Sequence, residues 1–293
     1  MAVNVRSNMP DIIATVPTRP RQFLGEVVAP QRGNGLVLAE VVHGEARRLP
    51  MHGHPNAYFE LILAGHYEEG TRTRRYLFSP FTLAFNPSGM EHDGATLTRD
   101  TRFFTVEMEP SWVEPFVRHP AMQQTAAELQ AGPLLWLGLH LYREYLGNSA
   151  ASPLTTESLV WEMLAETARW KSAGGVDRPR WWSRVKDRLH TQFREPLRMA
   201  EIAAEAGVHP VHVARVCRRL EGKTVGEYVQ ALRVRFACEQ LARLEWSLAE
   251  VACEAGFADQ SHLTRVFQKF TRTTPARFRQ MLAGSIRKSG RAA

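Results

Sequence analysis

Apolar and polar residues alternate with a period of two through much of residues 35–110, the pattern of half-buried β-strands. Leu36–Val42, Tyr58–Ala64, Arg74–Phe78, Thr82–Asn86 and Arg102–Met108 are the clearest such runs. Breaks fall at His52–Asn56, Gly65–Gly70, Ser79-Pro80 and Pro87–Gly94. Many short strands with turns between them predict a barrel or a jelly roll. After Pro110 the period lengthens, and Ala121–Gln130, Leu134–Leu146 and Thr155–Lys171 read as amphipathic helices. Leu134–Leu146 is apolar around much of its circumference. Such a helix either lies between layers of one subunit or faces a second subunit. Ser172–Pro179 (SAGGVDRP) reads as a linker, because Gly174-Gly175 loosens the chain and Pro179 blocks simple helix continuation.

Beyond the linker the helical period continues. Ser247-x-x-Glu250 has the spacing of a capping box. Leu248, Val251, Ala252 and Ala255 then form one apolar face, and Gly256 ends the helix. A second helix follows, with Leu263, Val266, Phe267 and Phe270 as its buried stripe. Two short helices around a glycine turn form a helix-turn-helix, whose second helix enters the DNA major groove. The pattern also occurs upstream: Ile202-Ala203, Gly207, His212, Arg215 and Val216 match Val251-Ala252, Gly256, His262, Arg265 and Val266. The offset is 49 before the turn and 50 after it, so the second turn is one residue longer. Thr224–Leu244 reads as a connecting helix about 30 Å long, near the ~34 Å of one DNA turn.

Charge agrees with this reading. From Arg178 onward 22 Lys and Arg stand against 11 Asp and Glu; the preceding residues carry 15 against 19. A net of +11 thus follows a net of −4, giving the +7 of the whole chain. A basic C-terminal third on an acidic body is the electrostatic footprint of a nucleic-acid-binding module. Cys217, Cys238 and Cys253 are odd in number, lack Cys-x-x-Cys spacing, and read as reduced thiols at helical positions. No apolar run approaches the ~20 residues that span a bilayer, so the expected location is the cytoplasm.

The second unit carries Gly256-Phe257, Gln260-Ser261-His262, Pro275 and Phe278-Arg279. With its degenerate copy some fifty residues upstream, it resembles the DNA-binding domain of the AraC/XylS family of bacterial transcription regulators. The resemblance covers roughly Trp181 to Gln280 and implies double-stranded promoter DNA and RNA polymerase as partners, with activation favoured over repression. It places DNA contacts at His209, Val211, Ala214, Arg215 and Arg218 in the first unit. In the second they fall at Asp259, Gln260, Ser261, Thr264, Arg265 and Lys269. Arg suits guanine and Gln adenine, whereas Val211 and Ala214 offer only apolar contact. His212 and His262 read as structural residues beside the turns.

The strand-rich half resembles the cupin-like effector domain of many AraC-type regulators. His52-Gly53-His54, Glu60 and Pro87-Ser88-Gly89-Met90-Glu91-His92 lie close to the cupin pattern, although five residues separate His54 from Glu60, one more than usual. Two readings stay open. His52, His54, Glu60 and His92 hold a divalent metal, or they line an organic effector pocket with Tyr58 and Phe85; Trp112 is a weaker pocket candidate. No cofactor is required for DNA binding.

The expected architecture is α+β and multidomain. A loose arm (1–34), expected to lay one strand on the body, precedes a cupin-like barrel (35–110) and a helical dimerisation region (111–171), with Leu134–Leu146 as dimer candidate. The linker (172–180), the double helix-turn-helix (181–283) and a basic tail (284–293) follow. The chain reads as a homodimeric, effector-responsive regulator and not as an enzyme. The alternatives are a metal-dependent cupin enzyme, or a bare oligomerisation module, fused to a DNA-binding domain.

Overall fold

The computed structural model describes residues 23–71, 75–117, 133–147, 152–172 and 179–289. The expected helix Ala121–Gln130, most of the arm and most of the linker lie outside the described residues. The strands are β1 (Glu26–Gly33), β2 (Leu36–His43), β3 (Arg47–Gly53), β4 (Ala57–Ala64), β5 (Tyr67–Gly70), β6 (Arg75–Phe78), β7 (Leu83–Asn86), β8 (Glu91–Thr96) and β9 (Thr101–Met108).

They form two antiparallel sheets, β1-β2-β9-β4-β7 and β3-β8-β5-β6. The sheets do not close into the expected barrel. They face each other across a thin apolar layer in which Val41, Ile62 and Phe103 of one meet Leu49, Tyr67 and Phe78 of the other. The two-layered alternative to a barrel is the one realised. The predicted strands account for β2, β4, β7, β9 and β6. Of the remaining strands of the second sheet, β5 lies within a segment read as a break, β8 begins in one, and β3 lies mostly in a stretch given no strand and runs into the break at His52. They are rich in His, Glu and Gly, and three of their polar side chains (His92, Glu69 and Thr96) are buried. β1 lies inside the segment read as an arm.

The outer face of the five-stranded sheet is covered by α1 (Pro110–Val117), α2 (Pro133–Gly147) and α3 (Ser152–Ser172). In α2, ten of fifteen residues are buried. Tyr142 Oη donates to Glu40 of β2 at 2.9 Å, and Tyr145 Oη donates to the Ala29 carbonyl at 3.0 Å. Gly138 lies against Leu83, where an added Cβ would sit 3.0 Å from the leucine Cδ1. The expected dimer helix is therefore core of one subunit, the alternative its apolar circumference left open.

The C-terminal domain comprises α4 (Arg180–Gln192), α5 (Met199–Ala206), α6 (Pro210–Glu221), α7 (Val225–Arg243), α8 (Leu248–Glu254), α9 (Gln260–Thr271) and α10 (Pro275–Ser289). Ser247 and Glu250 form the predicted capping box on α8, and Thr224 and Glu227 form another on α7. α7 has 19 residues and is about 28 Å long. α10 remains helical to Ser289, so the chain does not become an irregular tail at Gly284. Among the described residues no helix is long and apolar enough to cross a membrane.

Candidate functional site

Two sets of residues carry chemistry, one between the sheets and one on the C-terminal helices. The first is a cavity of about 30 Å³ lined by His43, His52, His54, Tyr58, Glu60, Tyr67 and His92, with Phe23, Val41, Leu49, Phe103 and Thr105 around them. Strand geometry assembles it. His52 and His54 are two residues apart and so share a face. His52 stands opposite His92 in the β3–β8 register. The ring centroids of His52 lie 4.3 Å from His92 and 5.1 Å from His54, and those of His54 and His92 are 5.4 Å apart. One nitrogen of each ring falls within 4.8 Å of the others.

Burial lowers the pKa of all three. His54 falls to about 4, with His52 as a second cause, and His92 to about 3, with His52 and His54 adding to burial. Burial also lowers His52, against opposing contributions from the Pro50 carbonyl and Asp93. At neutral pH the three rings are neutral, each with one lone pair. Nδ1 of His52 lies 2.8 Å from the Pro50 carbonyl, which can only accept, so Nδ1 carries the proton and Nε2 the lone pair.

Glu60 is in the cavity wall but not in the three-histidine cluster. Burial, with Glu69 beside it, raises its pKa well above the carboxylate range. Oε1 of Glu60 and Nδ1 of His92 have no hydrogen-bond partner among the described residues. Glu69 is pushed up to about 8 by burial and by Asp93.

Phe85 is not in the cavity. It pairs with Phe59 across β4–β7, 5.0 Å away centroid to centroid, while Tyr58 and Glu60 pair with Asn86 and Ala84. Directly opposed residues share a face, so Phe85 points with Phe59 into the layer under the helices. Trp112 also lies in that layer, donating from Nε1 to the Asn34 carbonyl at 2.7 Å. Sequence reasoning missed His43 and Tyr67. His43 was legible in part, because it shares its strand face with Val41, two residues earlier.

The second set lies on α6 and α9. His209, Val211, Ala214, Arg215 and Arg218 are all exposed along α6, and Asp259, Gln260, Ser261, Arg265 and Lys269 along α9, with Thr264 half-buried. Several have local duties. Asp259 caps α9, accepting from the His262 amide at 2.7 Å, and His209 caps α6 through the Val211 amide at 3.3 Å. Thr264 Oγ1 donates back to the Gln260 carbonyl at 2.8 Å. Lys269 lies 3.8 Å from Glu227. His262 packs edge-on against Phe257 and accepts from the Ala258 amide at 3.4 Å, beside the turn. His212 is exposed and rests against Trp181 of α4 rather than against the turn.

A two-sheet domain with an internal cavity, joined to paired helix-turn-helix units with exposed second helices, defines a DNA-binding transcription regulator with a separate ligand-binding domain. Residues 202–281 match the family model of a helix-turn-helix domain, and residues 35–164 that of an AraC-like ligand binding domain. The probable transcription factor PqrA of Proteus vulgaris is 35% identical over 94 residues, 31% of this chain and 77% of PqrA. The bifunctional transcriptional activator/DNA repair enzyme AdaA of Bacillus subtilis is 31% identical over 101 residues, 34% of this chain and 48% of AdaA. The solved structure of ToxT from Vibrio cholerae aligns over 84% of this chain and 97% of ToxT, with 11% identity and a TM-score of 0.37. The chain belongs to the AraC/XylS family of transcription regulators.

Proposed function

We propose that α6 and α9 read two successive major grooves on one face of promoter DNA, and that a small ligand in the intersheet cavity controls this binding. The observation that carries the DNA reading is the pair of exposed, basic second helices held by a connector of about 28 Å. Arg215, Arg218, Gln260, Ser261 and Arg265 are the base- and phosphate-contacting candidates. Asp259, used as a cap and negatively charged, acts through helix geometry. Family membership supports activation through RNA polymerase, and a sensing rather than a catalytic use of the histidines.

The cavity's volume favours the smaller of the two ligands. About 30 Å³ holds one or two water-sized species, far below the ~300 Å³ and more of organic-ligand pockets. We therefore assign His52, His54 and His92 to a divalent transition-metal ion. Three neutral imidazoles, one oriented through its second nitrogen by a backbone carbonyl, are a fitting donor set. Glu60 lines the same cavity outside the three-histidine group, so it is not part of this donor set. A bound ion would supply positive charge linking β3 to β8.

Melting of the full chain with Zn, Ni, Mn or Fe, and after chelation, tests this. A saturating ligand at a hundred times its dissociation constant raises stability by about 2.7 kcal/mol. The expected result is a shift with at least one metal that His92→Ala abolishes. No shift with any metal would return the cavity to an organic effector. The aromatic walls from Phe23, Tyr58, Tyr67 and Phe103 favour that second reading.

Homodimerisation, with α2 buried, falls to α3, where Leu154 is 75% and Trp161 40% exposed. Sedimentation of Trp161→Glu should then show a monomer.

A further inference from the structure

The core of the ligand-binding domain does not stop at the domain boundary. Phe81, Leu83, Trp136, Leu139, Val251, Ala252, Phe267 and Phe278 belong to one continuous apolar cluster. The first helix-turn-helix unit has a separate core, built from α4 to α7 around Trp182, Ile202, Val213 and Tyr228. Among the described residues the ligand-binding domain thus shares its apolar core with the second unit and not with the first.

The grip has two parts. One is the Ser79–Thr82 turn between β6 and β7. Phe81 takes φ +59, a left-handed conformation that favours glycine and strains a bulky residue. Its ring is fully buried, 5.8 Å from the ring of Phe278 on α10, which meets Phe267 of α9 at 5.3 Å. Arg235 of α7 donates to Ser79 Oγ at 3.2 Å. The other part is α2. Trp136 packs on Phe270 at 5.1 Å. His140 Nε2 lies 3.1 Å from the Phe270 carbonyl, and Arg143 donates to the Arg272 carbonyl at 3.1 Å. Carbonyls at a helix C-terminus lack intrahelical partners, and a cation there is favourable. On α9 and its C-cap the held residues are Phe267, Phe270 and Arg272, while Gln260, Ser261 and Arg265 nearer its start stay exposed.

We propose that Phe81, Trp136, His140 and Arg143 are positioning residues for DNA reading: they brace the second recognition helix by its C-terminal end and set its angle and spacing relative to α6. The brace shares a strand with the cavity. β7 begins two residues after Phe81 and pairs with β4, Ala84 opposite Glu60 and Asn86 opposite Tyr58. Leu83, at the start of β7, touches Gly138 of α2. A change at the cavity wall therefore has a packed route to both parts of the brace. The proposal rests on α9 being a reading helix.

The test starts from a site selected by the full chain out of random duplex DNA, then varied by inserting one or two base pairs between its half-sites. Wild type should bind one spacing best. Phe81→Gly removes the buried ring while suiting the turn, and His140→Ala/Arg143→Ala removes the α2 bonds. Each should weaken binding at the preferred spacing at least tenfold, flatten the spacing preference, and leave binding to the first unit's isolated half-site within twofold. His140→Gln, which keeps an N–H donor, should restore most of the preference relative to His140→Ala. Unchanged affinity and spacing preference in Phe81→Gly and in a folded His140→Ala/Arg143→Ala protein would overturn the brace. Tighter binding in either would also overturn it, because the contact would then be inhibitory. If wild type selects no site at all, the reading role of α9 fails instead.

Discussion

The two helix-turn-helix units are copies in sequence but differ in how they are held. Both recognition helices have twelve residues, an extended N-cap with a side-chain bond, and a left-handed C-cap. Their turns both carry a glycine at positive φ, +69 at Gly207 and +79 at Gly256. Around Gly207 there is open space, whereas a Cβ on Gly256 would overlap the backbone of Arg194 in the α4–α5 connection. α5 lacks a side-chain cap, whereas α8 has a complete capping box. The second unit also shares its core with the ligand-binding domain, and the first does not. Duplication thus supplies two helix-turn-helix units, and their surroundings pack the second against more of the molecule than the first.

The largest break in this comparison is expected at the glycines. Gly207→Ala should cost about 1–2 kcal/mol, the backbone strain alone. Gly256→Ala should cost about 2–5 kcal/mol, because overpacking against Arg194 adds about 1–3. Chemical denaturation of the two proteins side by side measures the difference, and equal losses would mean that the Arg194 contact gives way freely.

Acid should loosen the contact on the second unit. His140, buried under α9, is held down to about 4 chiefly by burial and then by Arg143; Arg272 adds, while the Phe270 carbonyl and Glu144 oppose. The unfolded chain binds this proton more readily than the folded one. The contribution is therefore fully present above pH 6.5 and lost as pH falls toward 4. The shift corresponds to a ceiling of about 3 kcal/mol. His140→Gln should flatten the stability profile between pH 6.5 and 4, and an unchanged slope would exclude this group as its source.

Base reading provides a finer comparison. Arg265→Ala should weaken specific binding by about 1–3 kcal/mol and relax discrimination at one position. Equal loss on specific and random DNA would reduce Arg265 to a phosphate clamp. The same substitution at Arg215 tests whether the first unit, with Val211 and Ala214 on its face, reads as much sequence. The smallest effect belongs to the caps: Ser247→Ala should cost about 1 kcal/mol by thermal melting. Arg198→Ala, at the uncapped start of α5, should cost almost nothing.

What was legible in the sequence follows from local physics. Capping boxes, helix-ending glycines and 3.6-residue stripes act over a few residues, so both helix-turn-helix units could be found from the chain alone. β2, β4, β7 and β9 are buried nearly throughout and rich in β-branched, aromatic and other apolar residues, and so they were visible. β3, β5 and β8 were not, because polar groups are buried along the strands bordering the cavity, and buried polar residues look like turns. His52, His54 and His92 were found through their resemblance to the cupin pattern, but their convergence depends on the β3–β8 register.

By itself, then, the sequence determined the elements of the C-terminal domain, the family, and the residue types offered to DNA and to the cavity. Each of these depends on residues close together in the chain. The tertiary structure alone decided that two sheets stack without closing, that Phe85 turns away from the cavity while His43 enters it, and that Glu60 lies outside the three-histidine group. It also decided that Leu134–Leu146 is spent inside one subunit on the second unit's back. An apolar stripe specifies that a face will be covered but not by what, because hydrophobic burial is non-directional and any apolar partner of fitting shape satisfies it.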